Sequence, residues 1–254
     1  MNESLVDYPL LVLVLAFSVL WLAARAGAFL GKRRKLGEDV HKDFDFVLTS
    51  TLTLLGLIIG FNLLVAVTRY DQRKNYEEAE ANAIGTEYLR ADLLPAADGA
   101  KVRALLGRYL DQRILFYTAR DAQQLREVNA RTARLQAELW SATLGPAAAQ
   151  PTPLLALAVS GMNDVLNSQS YSQAAWWNRI PLGAWCLMAA IAVCCNLLIG
   201  YGARDLQAAG TLLLVLPFVV SISFFLIADV DSPRGGVIRV VPQNLQALAE
   251  SLRP

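Results

Sequence analysis

Four long runs of apolar residues interrupt a chain that is otherwise polar and rich in helix-forming residues. The clearest run, residues 46–68, contains 23 consecutive residues without a charge. About 20 apolar residues in a helix suffice to cross the hydrocarbon core of a bilayer. Because three other runs reach a similar length, the pattern predicts four transmembrane helices, at about residues 9–30, 46–68, 180–202 and 206–228.

The segment between the second and third runs, residues 69–179, has the periodicity of extramembrane helices. Residues 69–94 contain no proline and are rich in Glu, Ala, Leu and Arg. We therefore expect the second span to continue out of the membrane as one helix until Pro95. Beyond Val102, apolar positions recur every three or four residues, which is typical of helices that pack on one side.

Two further predictions complete the fold. The pair Gly145-Pro146 predicts a loop as far as Pro153, followed by a last extramembrane helix over 154–177. Residues 229–254 form a C-terminal tail. No segment alternates long enough to require a sheet, although 236–241 has the composition of a short extended segment. The predicted fold is all-α: four transmembrane helices with an extramembrane helical region between the second and third.

Composition supports a membrane protein. Hydrophobic residues make up 55% of the chain, charged residues 18%, and the mean hydropathy is +0.37, which is unusually apolar for a soluble domain. Glu3 and Asp7 precede the first apolar run and the basic cluster 32–35 follows it. Since a cleaved signal peptide has positive charge before its apolar stretch, we interpret this run as a retained span.

Nothing in the sequence supports an enzyme, a metal site or a cofactor site. The chain lacks a Ser/His pairing, a glycine-rich phosphate loop and HExxH spacing. The three cysteines, Cys186, Cys194 and Cys195, lie inside the third span, where they are expected to pack as small apolar side chains. His41 is the one histidine of the sequence and is expected to be solvated. With a net charge of +1 and no basic face interleaved with aromatics, nucleic-acid binding is also not expected.

The second span has two features that suggest function. Gly56 and Gly60 form a small-xxx-small motif that permits close helix packing. Thr53, Leu57 and Phe61 follow one another at steps of four, and in a ring of identical subunits this face would form a hydrophobic constriction that gates by dewetting.

The helix beyond the second span carries charges of both signs. One interpretation is a solvated surface. The other is a vestibule, in which residues repeated around a symmetry axis bias which ions enter. The candidates for the foot of the pore and for this vestibule are Arg69, Tyr70, Glu80, Asn82, Thr86 and Glu87.

Three groups of residues resemble a known family. Gly60-Phe61 followed after five residues by 67–70 is similar to the end of the second transmembrane helix of bestrophins, which are pentameric anion channels. The segment 229–236 followed by 244–246 is similar to the acidic segment and helix after the last bestrophin span. Residues 69–95 resemble most closely the bacterial bestrophin-like proteins. The resemblance to these proteins extends beyond this segment and covers nearly the whole chain.

The resemblance implies a homopentamer around one central pore, with an anion preference. Thr53, Leu57 and Phe61 would form the neck, and Thr53 departs from the apolar residue that the family places there. The calcium clasp of animal bestrophins would map near Asp229 and Asp231. Two carboxylates are too few for a calcium shell, so we expect no bound metal and interpret both as a solvated cap after the fourth span.

The residues and the resemblance disagree about orientation. The basic cluster 32–35 places the first loop in the cytoplasm and the helical region outside, by the positive-inside rule. The resemblance implies the reverse: a protein of the bacterial inner membrane with its helical region in the cytoplasm. Basic residues at 69–74, 179 and 234–239 lie on the side of the membrane opposite the cluster and nearly balance its charge. We favour the cytoplasmic placement.

Two functions other than a channel fit the same sequence. A non-conducting oligomeric scaffold or sensor would use the second-span glycines for packing alone. A carrier is less well supported, because the chain has no inverted repeat and no buried charge pair within its spans. The expected partners in each case are further copies of this chain and the lipid bilayer, with small inorganic ions added for a channel.

Overall fold

The computed structural model describes residues 5–33, 41–203 and 212–253, and the regular structure in these ranges is entirely helical. The predicted all-α fold is confirmed. Residues 236–241 contain no strand. The α-helices of the described residues are α1 (Pro9–Arg33), α2 (His41–Arg90), α3 (Ala96–Thr118), α4 (Ala122–Ala149), α5 (Pro153–Trp177), α6 (Leu182–Gly202), α7 (Leu212–Asp231) and α8 (Gln243–Ser251).

Four helical stretches are long and apolar enough to cross a membrane: Pro9–Arg33, Lys42–Leu93, Pro153–Gly202 and Leu213–Asp231. The chain is therefore a multi-pass membrane protein by the composition of its helices, while the limits of the spans stay predictions. The first residues of the predicted fourth span, 206–211, lie outside the described residues. So do positions 34 and 35 of the basic cluster and the side chain of His41.

The chain divides into two compact units, which are considered separately. Unit 1 comprises Met1–Arg69 and Arg179–Ile238, and unit 2 comprises Tyr70–Asn178 and Arg239–Pro254. The long helix α2 contributes residues to both, because it is unbroken from His41 to Arg90.

In unit 1, α1 packs against α6 and α7. A Cβ atom at Gly27 of α1 would overlap the Leu197 carbonyl oxygen, and one at Gly200 of α6 would overlap the Ala24 carbonyl oxygen. The two backbones therefore touch, as small residues permit in membrane helices. Close helix packing at glycines is therefore found between α1 and α6. Our prediction concerned other glycines, Gly56 and Gly60 of the second span.

In unit 2, residues of α2, α3, α4, α5 and α8 share one apolar core. The predicted apolar stripe of α3 is buried from Val102 to Tyr117. The three residues between α3 and α4 make these helices antiparallel neighbours, and Asp121 caps α4 by accepting a hydrogen bond from the Gln124 amide at 2.6 Å.

The predicted loop from Gly145 to Pro153 is wrong, because α4 continues to Ala149 and contains Pro146. Proline removes one helical donor, but the helix survives since the Gln150 amide donates to the Pro146 carbonyl at 3.0 Å. Only 150–152 separate α4 from α5. There, Thr152 accepts a hydrogen bond from the Leu155 amide at 3.2 Å and caps α5.

Candidate functional site

One face of α2 in unit 1 is not covered by the other described residues of the chain. The predicted neck residues Thr53, Leu57 and Phe61 are all exposed, Leu57 to 55% and Phe61 to 59%. Of the most apolar 18-residue window of α2, 11% is buried, compared with 28%, 22% and 50% for the windows of the other three apolar stretches. Among the described spans, α2 therefore relies most on lipid or on other copies of the chain for cover.

Gly56 and Gly60 of this helix have no close neighbour among the described residues. A Cβ atom at Gly56 or Gly60 would meet nothing within 4 Å outside the helix itself. Close packing at these two glycines has no partner in the described part of the chain, and their packing against a second copy stays a prediction.

Several polar side chains in the apolar stretch of α2 donate hydrogen bonds to carbonyls of the same helix. Thr53 Oγ1 donates to the Thr49 carbonyl at 2.9 Å, and Thr68 Oγ1 donates to the Leu64 carbonyl at 2.9 Å. Asn62 is half-buried, and its Nδ2 donates to the Ile58 carbonyl at 2.9 Å. Because such bonds need no water, this stretch remains stable in a dry surrounding.

The foot of this apolar stretch is tied to the end of α7. Arg69 Nη1 lies 3.7 Å from Asp231 Oδ1. The Ile180 amide, two residues before α6, donates to both Asp231 oxygens at 3.3 and 3.2 Å. Asp231 thus holds the foot of α2, the start of α6 and the end of α7 together.

The expectation that Asp229 and Asp231 are solvated is wrong. Both are buried, at 2% and 1% exposure. Asp229 accepts hydrogen bonds from the Val237 and Ile238 amides at 2.7 and 2.9 Å. Their carboxylates are engaged by backbone N–H groups and by Arg69, because the segment after α7 folds back over them. In the described part of the chain, no group of three or more His, Cys, Asp or Glu side chains is placed to hold a metal ion.

In unit 2, the charged residues of α2 separate onto opposite faces. Arg73, Glu77, Glu80 and Glu87 are buried, at the steps of three and four that place residues on one helical face. The prediction that Glu80 and Glu87 line a vestibule therefore conflicts with the structure. Tyr70 is half-buried and packs on the core of unit 2.

Two of the buried charged residues bind backbone groups. Arg73 donates to the carbonyls of Ala175 and Asn178 at 3.2 and 3.3 Å, near the end of α5. Glu77 accepts from the Leu245 amide at 2.9 Å and from Asn244 Nδ2 at 2.7 Å. Since these two residues lie at the start of α8, Glu77 caps that helix, a position where a carboxylate is stabilising.

Glu80 is the centre of a buried hydrogen-bond network. Its Oε1 accepts from Nε of Arg113, with which it forms an ion pair, and its Oε2 accepts from Arg113 Nη2 at 3.3 Å. Oε2 also accepts from the hydroxyls of Tyr117 and Ser172, both at 3.2 Å. The Arg113 guanidinium lies 4.4 Å from the centre of the Phe116 ring. This network joins α2 to α3 and α5.

The network shifts the pKa values of ionisable side chains in and beside it. Burial lowers the pKa of Arg113, but the Glu80 carboxylate together with the nearby Tyr109 and Tyr117 more than offsets this, so the pKa lies above its ordinary value. Burial, followed by the negative charge of Glu80, raises the pKa of Tyr117 and of Tyr109 above that of a free phenol. At neutral pH Arg113 is therefore charged and both phenols are protonated.

Glu87 has a different environment. Both of its carboxyl oxygens are buried and neither has a hydrogen-bond partner among the described residues. It lies over Gly161 of α5, where a Cβ atom would overlap its Oε2. Burial raises the pKa of Glu87 from 4.5 to about 8, with Arg90 opposing the shift and Asp164 adding to it. The carboxyl is therefore mostly protonated at neutral pH.

This shift predicts a pH-dependent contribution to stability. Because the pKa in the folded protein lies above that in the unfolded chain, the stability contributed by Glu87 is complete below pH 4.5 and is lost as pH rises to about 8. Glu87→Gln cannot lose a proton. Its thermal unfolding midpoint in detergent should therefore fall less between pH 5 and pH 8 than that of the original protein. Glu127→Gln, exposed on α4, is the control, and parallel curves for all three proteins would refute the assignment.

The exposed face of α2 in unit 2 carries residues that the sequence analysis only partly identified. Asn82 and Thr86, predicted for the vestibule, are exposed, and their role stays a prediction. Glu78, one of the mixed charges considered for the vestibule, is exposed as well, and so are Asp71 and Asn75, which were missed. The signal that identifies them is their spacing, because 71, 75, 78, 82 and 86 follow one another at steps of three and four.

Comparisons with known proteins complete the description of the site. The sequence matches the family model of the bestrophin-like domain over residues 10–245. The fold is similar to that of a solved crystal structure described as that of a membrane protein with a proline-to-alanine substitution. The two share 12% sequence identity and a TM-score of 0.57, over 93% of this chain and 98% of that chain. At this identity the likeness concerns the fold alone. None of the curated proteins matches the chain.

Proposed function

Because the chain belongs to the bestrophin-like domain family, we propose that it assembles as a homo-oligomer, a pentamer, and conducts ions along a central pore lined by α2. The protein would lie in the inner membrane of a bacterium, with its extramembrane helical region in the cytoplasm. Family resemblance by itself favours anions as the permeant species.

One observation carries the proposal: the exposed face of α2 does not have the composition of a lipid-facing surface. Leu57 and Phe61 alone would suit lipid, but Thr53, Gly56 and Gly60 share the uncovered region with them. Small residues let identical helices approach closely, and apolar rings of Leu and Phe form constrictions that gate by dewetting. Around a shared axis, the small residues would let neighbouring α2 helices approach, and Leu57 and Phe61 would form the constriction.

The polar residues beyond Arg69 agree with the same pathway. α2 is a single helix, so the steps of three and four that lead from Leu57 through Leu64 and Thr68 continue to Asp71 and Asn75. All five are exposed. An ion that passes an apolar neck and then meets hydroxyl, amide and carboxylate groups would regain polar partners as it leaves the membrane.

The proposal is tested by ion flux in liposomes that contain the purified protein. Phe61→Ala widens the neck and lowers its dewetting barrier, so flux should rise about tenfold, which equals about 1.4 kcal/mol in barrier height. The matched control is Phe218→Ala on α7, because Phe218 has a similar exposure of 55%. Its flux should equal that of the original protein.

Two outcomes would contradict the proposal. A monomeric or dimeric mass in detergent excludes a pore shared by a ring of subunits. A correctly assembled oligomer that passes no small ion, with or without Phe61→Ala, would favour the non-conducting scaffold or sensor, in which Gly56 and Gly60 serve only to pack copies together.

A further inference from the structure

We propose that the pore prefers cations to anions, and that Asp71 and Glu78 set this preference. The inference rests on the proposed function, since it assigns the charge of the permeant ion to the same α2 surface. It opposes the anion preference that family resemblance alone implies.

The first support is the charge of the exposed face of α2 beyond its foot. Asp71, Asn75, Glu78, Asn82 and Thr86 are all exposed and share this face by helical spacing. Its two ionisable members are both acidic. They are seven residues apart, about 10 Å along a helix, which is close to the Debye length of about 8 Å in physiological salt. Their fields therefore overlap in the pathway.

The second support is that nearby arginines are withdrawn from this face. Arg69 is engaged with Asp231 at 3.7 Å. Arg73 is 1% exposed and donates to the carbonyls of Ala175 and Asn178. Buried on the opposite side of the helix, Arg73 is separated from the pathway by the helix itself. The acidic charges of the exposed face are thus not neutralised by either arginine.

Lys74 limits the effect without reversing it. Its side chain is exposed and lies on the flank of the face, one turn from both Asp71 and Glu78. With one lysine against two carboxylates, each subunit contributes a net charge of −1 from these three residues. Repeated around a symmetric axis, this charge raises the local cation concentration and lowers that of anions.

The buried acidic residues do not alter this sum at the pathway. Glu77 caps α8, and Glu80 is paired with Arg113. Glu87 is buried beside Gly161. Each faces the interior of unit 2, so the sign of the field along the exposed face is set by Asp71, Lys74 and Glu78.

The test is the reversal potential of the assembled protein in a planar bilayer under a tenfold gradient of potassium chloride. The reversal potential of the original protein should be shifted from zero toward the equilibrium potential of potassium. In Asp71→Asn/Glu78→Gln the potassium-to-chloride permeability ratio should fall at least about fivefold. Lys74→Gln should raise the ratio, an opposite shift that general damage to the fold would not produce. Glu127→Gln, exposed on α4, is the control and should leave it unchanged.

The outcomes separate this inference from the proposed function. A reversal potential shifted toward the equilibrium potential of chloride would overturn the cation preference. So would a permeability ratio that is unchanged in the double variant. Either result would leave the proposed channel function intact. Absence of any conductance overturns the channel and the cation preference together. The shift should also shrink as the salt concentration rises, because screening weakens the field of exposed charges.

Discussion

Glu80→Ala should destabilise the protein by about 3–5 kcal/mol, because it leaves the charge of Arg113 buried without its partner. Both side chains of the pair are fully buried, and Glu80 accepts hydrogen bonds from Arg113, Tyr117 and Ser172. Globular domains are stable by about 5–15 kcal/mol, so the loss is a large part of the total. It is measured as a shift in the denaturation midpoint of the purified protein in detergent.

The matched control is Glu78→Ala, two residues away on the same helix. Glu78 is exposed, and substitutions at such sites usually change stability by less than about 0.5 kcal/mol. The double variant Glu80→Ala/Arg113→Met should recover part of the loss, since no charge remains buried. If Glu80→Ala were as stable as Glu78→Ala, the network would not hold α2 in its observed orientation.

This orientation matters for the proposed pore. Glu80 joins α2 to Arg113 of α3 and Ser172 of α5, all within unit 2. The buried network fixes the rotation of α2 about its axis in this unit, and with it the exposure of Asp71 and Glu78. A helix rotated by a quarter turn would direct other residues outward.

The helices could be predicted from sequence wherever periodicity alone determines them. Uninterrupted apolar runs indicate spans because the bilayer imposes a length, and Val102–Tyr117 indicates α3 because its apolar residues repeat every three or four positions. The prediction failed at Pro146, where local propensity suggested a loop. There α4 continues to Ala149, and the Pro146 carbonyl accepts a hydrogen bond from the Gln150 amide.

The buried charges could not be assigned from composition. Arg73, Glu77, Glu80 and Glu87 resemble a solvated surface in a mixed-charge helix, and burial depends on partners far along the chain, such as Arg113 and Leu245. Two signals were present. Arg113 occupies an apolar position of the α3 stripe, which implies a buried partner, and the four charged positions of α2 share one helical face.

The acidic tail shows the same limit. Asp229 and Asp231 follow an apolar span and precede Pro233, a pattern that suggested solvent exposure. Both are instead buried and accept hydrogen bonds from the backbone amides of Ile180, Val237 and Ile238. Spacing in the sequence does not reveal such partners, because two of them depend on how the segment after α7 folds back, and the third precedes α6.

The central claim, that the exposed face of α2 lines an aqueous pathway, is tested most directly by cysteine substitution. Cys186, Cys194 and Cys195 are first replaced by alanine, so that no native thiol reacts. Leu57→Cys and Phe218→Cys are then compared. Both original side chains are 55% exposed in the single chain, so a difference in reactivity between the two sites reports how the assembled protein surrounds each of them.

Each variant is reconstituted in liposomes, and potassium nitrate flux is measured before and after addition of Ag⁺, a small ion that binds thiolates. Bound metal in a narrow ring obstructs conduction, so flux through Leu57→Cys should fall at least about tenfold, while flux through Phe218→Cys should stay unchanged. Equal sensitivity of the two variants, or inhibition of Phe218→Cys alone, would contradict a pore lined by α2.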